Sequence, residues 1–223
     1  ANGTRNFLHE PAMSQQQMFQ ALNTGIELAE NCQAKGCNVL CLGEMGIGNT
    51  SPSSVWMSLW GNLPLSSCVG SGSGLNIAGE KHKLAILEQA VSHFKRQSLA
   101  HNDPAIIIQY FGGFEMVAAV GAMLRAAELR MIVLVDGFIM SACMLAASKL
   151  NPAVLDYAVF GHCGDESGHR QLLSLMQAQP ILQLGMRLGE GTGALCAYPI
   201  IESSVRMINE MNNFKDANID KYF

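Results

Sequence analysis

Asn38-Val39-Leu40-Cys41-Leu42-Gly43-Glu44-Met45-Gly46-Ile47-Gly48-Asn49-Thr50 opens as a short apolar run and turns into a glycine-rich loop bearing a carboxylate. The run has the length of a buried strand, and the glycines end it. The pattern recurs. Met131-Ile132-Val133-Leu134-Val135 runs into Asp136-Gly137, and Ala158-Val159-Phe160 into Gly161-His162-Cys163-Gly164-Asp165-Glu166-Ser167-Gly168. Met186-Arg187-Leu188 runs into Gly189-Glu190-Gly191-Thr192-Gly193. Between these runs lie helical stretches. Residues 14–34 are polar and periodic, and 81–97 are amphipathic through Leu84, Leu87, Val91 and Phe94. Asp103-Pro104 has the form of an N-cap with proline at the first helical position. Residues 114–128 and 138–150 read as apolar helices, and 194–211 as a last helix. Strands alternating with helices imply an α/β fold: a mostly parallel sheet with helices on both faces, in Rossmann-like layers. Ligands of such sheets sit beyond the carboxyl ends of the strands. Glu44, Asp136, Asp165, Glu166 and Glu190 are therefore expected around one crevice.

Composition narrows the function classes. The chain has 223 residues, 49% of them apolar and 14% charged, against roughly 25% charged in an average soluble domain. That excludes a disordered chain and implies much covered surface, in a core or against a partner. With 14 Lys+Arg against 18 Asp+Glu the net charge is −4, and no basic cluster marks a nucleic-acid binder. Mean hydropathy is +0.18, yet the longest uncharged apolar stretches, 116–124 and 137–148, fall short of the ~18 residues a membrane span needs. Both read as buried helices. No apolar signal core follows Ala1, and the seven cysteines are odd in number without a Cys-x-x-Cys pair. A cytoplasmic protein with reduced thiols is expected. No initiator Met is present, which suggests a piece of a longer chain.

Each motif has a bland reading beside the functional one. Loop 43–50 can cradle a phosphate with its amides or simply turn a strand into a helix. It is neither a Gly-x-Gly-x-x-Gly nor a Walker loop. Segment 70–74, Gly-Ser-Gly-Ser-Gly, has the composition of a flexible linker, with a second ligand-facing loop as the alternative. Lys83 is a solvated helix residue unless its helix starts near the crevice. His162, Cys163, Asp165, Glu166 and His169 are metal-ligand types at no zinc spacing, so no metal is expected. Asp136 either binds a ribose or base or caps the helix starting at Phe138, and both can hold. Glu190 sits between two glycines, where a side chain packs little. An exposed turn is the alternative to a base whose pKa a desolvated crevice would raise.

These loops resemble those of the nicotinate-nucleotide–dimethylbenzimidazole phosphoribosyltransferase family. The matching pieces are Gly3-Thr4-Arg5-Asn6-Phe7, Glu10-Pro11-Ala12-Met13, loop 43–50, Gly112-Gly113-Phe114-Glu115, Asp136-Gly137-Phe138 and Leu188 to Ala194. The resemblance implies a single α/β domain over 1–223, the C-terminal portion of a longer family chain, with terminal segments in a small helical lobe, and a homodimer. It implies transfer of phosphoribose from nicotinate mononucleotide to 5,6-dimethylbenzimidazole, with no cofactor. Glu190 falls at the general base, and Glu44 at a carboxylate that stabilises the oxocarbenium-like ribosyl centre. Gly46, Ile47, Gly48, Asn49, Lys83, Asp136, Gly137, Gly189 and Gly191 fall at substrate-binding positions. The third loop departs from the family pattern: Gly164 stands where a serine is usual, and the acid Asp165 follows it. A truncated nucleotide- or azole-binding paralogue and a Mg-dependent phosphohydrolase are the alternatives.

Overall fold

The computed structural model describes residues 2–212. Strands β1 (Val39–Leu42), β2 (Ile132–Val135) and β3 (Ala158–Phe160) form a parallel sheet in the order β1-β2-β3. Val39 pairs with Ile132 and Val133 with Ala158, so all three strands end at one edge. Val133, Leu134 and Val135 of the central strand are all buried. Successive strand residues face opposite ways, so both sheet faces are covered. Val133 and Val135 join the main core with Leu40 and Leu42. Behind the opposite face lies α9 (Thr192–Glu210), which touches β2 and buries Ala194 and Ala197.

The expected fourth strand does not form. Met186-Arg187-Leu188 is irregular, and beyond β3 only His162 and Leu182, among the described residues, make an isolated bridge. The Met186 carbonyl instead accepts the Asp165 N–H at 3.0 Å, so this run is tied to the third loop rather than to a strand. Gly185, with φ +60°, turns it away from extended geometry.

The helices begin where local chemistry starts them. Ser14 and Gln17 form a reciprocal capping box at α1 (Gln15–Ala34). Asn76 caps α4 (Ile77–Arg96) through the Gly79 N–H, so the amphipathic helix starts four residues ahead of the expected Lys81. Asp103 caps α5 (Pro104–Phe111), with proline leading. Thr50–Gly61 forms α2 and Leu65–Cys68 the short α3. The apolar stretches become α6 (Phe114–Glu128) and α7 (Phe138–Leu150), and α7 is buried from Phe138 to Ser148. No helix among the described residues is long and apolar enough to cross a membrane. The short α8 (His169–Leu175) follows the third loop.

Helix α1 lies on α6 with backbone against backbone. A Cβ on Gly25 would come within 1.8 Å of the Ala118 carbonyl oxygen, and one on Gly121 within 2.2 Å of the Leu22 carbonyl oxygen. Gly25→Val should therefore force the helices apart, an overpacking loss of ~1–3 kcal/mol or more. Urea unfolding checks this against the exposed control Glu27→Ala, which should stay within ~0.5 kcal/mol of the parent.

Candidate active site

The three strand ends deliver Glu44, Asp136 and His162 to one cavity of about 740 Å³, counted with the space at its mouth. Asn49 and Thr50 at the start of α2, Gly72 and Ser73, Glu166, and the run from Met186 to Gly189 complete its wall. Segment 70–74 is thus a wall rather than a free linker. Gly72 packs so closely on Thr50 that a Cβ there would lie 2.9 Å from the Thr50 hydroxyl, a contact that composition does not reveal.

The first and last glycine loops touch backbone to backbone. The Glu44 carbonyl accepts the Glu190 N–H at 3.2 Å. A Cβ on Gly43 would fall 2.3 Å from the Gly191 nitrogen, so only glycine permits the approach. Glu44 is half-buried, and its Oε2 accepts the Gly46 N–H at 2.8 Å and the Asn49 side-chain amide at 2.6 Å. Gly189 faces the other oxygen: a Cβ there would sit 3.2 Å from Glu44 Oε1. Ile47 and Gly48 are exposed at the loop tip, outside the cavity wall. Glu190 adopts φ +68° and Gly191 φ +81°. The left-handed region costs a residue bearing a Cβ ~1–2 kcal/mol, and such strain clusters at functional sites. The Glu190 side chain is exposed and lies outside the cavity wall. A desolvated crevice around it is not formed by the described residues, because the loop's consecutive left-handed residues swing it outward.

Asp136 does cap a helix, but not the expected one. The N-cap of α7 is Gly137, and no side chain bonds there. The Asp136 carboxylate, 2% exposed, accepts the Gly191 N–H at 3.1 Å and the Ala194 N–H at 3.0 Å, both at the start of α9. Burial pushes its pKa up, but His162 and the two amides outweigh this and hold it below the ordinary carboxylate value. Lys83 donates to the Thr50 hydroxyl at 2.7 Å and to the Gly70 carbonyl at 3.2 Å. It stands beside the cavity with its pKa pushed down by burial, against the pull of Glu166 and Glu80. Burial raises the Glu166 carboxyl, opposed by Arg187 and Lys83. Asp165 pairs with Arg187 at 3.1 Å at the exposed lip.

The third-loop histidines are not arranged as ligands. No group of three or more His, Cys, Asp or Glu among the described residues is placed to hold a metal ion. The His169 Nδ1 accepts the Gly164 N–H at 3.0 Å, and its Nε2 meets the Ser141 hydroxyl at 3.1 Å. Burial, reinforced by His162, lowers its pKa to about 4. The unfolded chain takes up this proton near pH 6.5 and the folded one only near 4. The neutral ring therefore stabilises the fold fully above 6.5, and this is lost as pH falls toward 4, by about 3 kcal/mol. Asp136, with its lowered pKa, acts in a separate window below its ordinary 3.8. Urea midpoints followed from about pH 7 down to about pH 4 should fall in the parent and flatten in His169→Asn.

A family model described as "Phosphoribosyltransferase" matches residues 1–219. A Bacteroides fragilis nicotinate-nucleotide–dimethylbenzimidazole phosphoribosyltransferase is 59% identical over 220 residues, covering 99% of this chain and 63% of the relative. The Dechloromonas aromatica enzyme of the same description is 48% identical over 219 residues, covering 98% of this chain and 63% of its own length. The crystal structure of CobT from Thermus thermophilus superposes with a TM-score of 0.90 at 32% identity, covering 98% of this chain and 64% of that one. The chain belongs to the nicotinate-nucleotide–dimethylbenzimidazole phosphoribosyltransferase family. It spans about 63% of the length of the curated relatives it matches.

Proposed function

We propose that this chain, within its whole protein, transfers phosphoribose from nicotinate mononucleotide to 5,6-dimethylbenzimidazole, giving α-ribazole 5′-phosphate and nicotinate. The observation that carries the reading is the bond between the Glu190 N–H and the Glu44 carbonyl. It joins the two carboxylate-bearing loops at the end of the sheet where ligands of parallel sheets bind.

In this reading the nucleotide lies in the cavity. Loop 44–49, through Gly46 and Asn49 in the cavity wall, holds its ribose and phosphate, with Lys83 balancing the phosphate charge. Asp136 and Gly137 line the floor, and Gly189 and Gly191 let the last loop close against it. The imine nitrogen of the azole attacks C1′ from the face opposite nicotinate. The old C1′–N bond breaks with its electron pair returning to the pyridinium nitrogen, so nicotinate leaves with a neutral ring. The anomeric configuration inverts from β to α. As the new C1′–N bond forms, the azole N–H becomes acidic and Glu190 takes its proton as general base, leaving the ribosylated azole neutral. Glu44 stabilises the positive charge developing at C1′.

Exposure of Glu190 fits a base whose azole pocket is completed by chain outside the described residues. Cytoplasmic location is part of the proposal, supported by seven cysteines that all stand free. So are the homodimer and the small helical lobe. Tyr198, Val205 and Ile208 lie exposed along α9, at spacings that share one helical face, and such a row supports a surface covered in the whole protein. Incubated with both substrates and no added metal, the whole protein should release nicotinate and ribazole phosphate one for one. Binding of the mononucleotide without release would favour the non-catalytic binding module instead.

A further inference from the structure

We propose that His162 is a positioning residue for the Glu190 loop, acting through Asp136 and the first turn of α9. The inference rests on the reading above for what that loop does, but not for how the loop is held. His162 is 1% exposed, and neither of its ring nitrogens has a hydrogen-bond partner. Buried polar atoms are rarely left so, and each instance calls for an explanation.

The surroundings supply one. The ring occupies a slot without side chains on three sides. A Cβ on Gly193 would overlap it at 1.8 Å, one on Gly137 would lie 3.4 Å from Nε2, and one on Gly164 would lie 3.3 Å from Cε1. Among titratable groups, His169 crosses it edge-on at 6.0 Å and Asp136 faces it, with Oδ1 3.6 Å from Nε2. A carboxylate only accepts, so the nitrogen facing it carries the proton. Both Asp136 oxygens already hold amides of the α9 start, Gly191 and Ala194. Shortening the Nε2 contact to the ~3.2 Å limit of an N–H···O bond gives the carboxylate a third donor and fixes its rotamer. The line of force then runs from His162 to Asp136, to Gly191, and to Glu190 beside it. Gly193 is what lets the ring sit beneath this turn.

The experiment compares the whole protein with His162→Phe, which fills the slot without a donor, and with His162→Gln, which places an amide nitrogen at similar reach. Three quantities are read: amide hydrogen exchange at Gly191 and Ala194, affinity for nicotinate mononucleotide by calorimetry, and kcat. His162→Phe should speed exchange at both amides and lower kcat, each by roughly 10–100-fold, with nucleotide affinity falling by less than kcat although the ring itself lines the cavity. His162→Gln should recover most of both losses. Unchanged exchange in His162→Phe would overturn the proposal, and so would equal kcat losses in Phe and Gln. Should His162→Phe fail to fold, His162→Ala is read in the same three ways. A parent that binds nothing and turns nothing over would remove the transferase reading, while the exchange comparison would still decide the role of His162.

Discussion

Glu190→Gln should turn over ~10²–10⁴-fold more slowly than the parent, the range a general base commonly supplies, while binding nicotinate mononucleotide about as tightly. Gln keeps the size of the side chain and the left-handed backbone at this position. It also leaves untouched the Glu190 N–H that bonds the Glu44 carbonyl. Only the capacity to accept the azole proton is lost, and that proton moves after the nucleotide is bound. Loss confined to kcat is the signature of an interaction made in the transition state alone. Steady-state rates of nicotinate release with calorimetric affinities check it. Turnover within a few fold of the parent would remove Glu190 as the base. A collapse in affinity would make it a binding residue.

Asp136→Ala should act on the fold and the site together. It strips the acceptor from the Gly191 and Ala194 N–H groups, and a buried donor left unsatisfied costs ~1–3 kcal/mol. With two such amides and His162 also facing the gap, a loss of ~3–5 kcal/mol is expected. That is a large share of the ~5–15 kcal/mol by which a domain is stable. Where folded protein remains, kcat should fall because the loop carrying Glu190 has lost its anchor. Asp136→Asn keeps one acceptor oxygen and should sit between parent and Ala in both respects. Urea midpoints and kcat on the three proteins decide it. An alanine variant as stable as the parent would mean that water replaces the carboxylate and the hub carries no weight.

What was legible in the sequence is local. The apolar runs at 38–42, 131–135 and 158–160 need only strand length and bulk, and all three became strands. Ser14 and Asp103 act on amides two or three residues away, so their helices could be read off directly. Asp136 shows where that logic stops. Its nearest helix invites capping, yet its partners lie 55 and 58 residues along the chain. Segment 70–74 fails for the same reason: serines and glycines look like a tether until Thr50 and Lys83 are placed against them. Met186-Arg187-Leu188 has apolar ends but no neighbouring strand to pair with, and a short run cannot announce that. His162 was visible only as a metal-ligand type. Its slot is made by Gly137, Gly164 and Gly193, which belong to three separate loops.

The most direct measurement is a structure of the whole protein with nicotinate mononucleotide bound. The expected result is a nucleotide in the cavity between Asn49, Asp136 and Gly189, with the Glu190 carboxylate on the side of C1′ opposite nicotinate. A nucleotide seated elsewhere, or one whose C1′ is walled off from the last glycine loop, would contradict it.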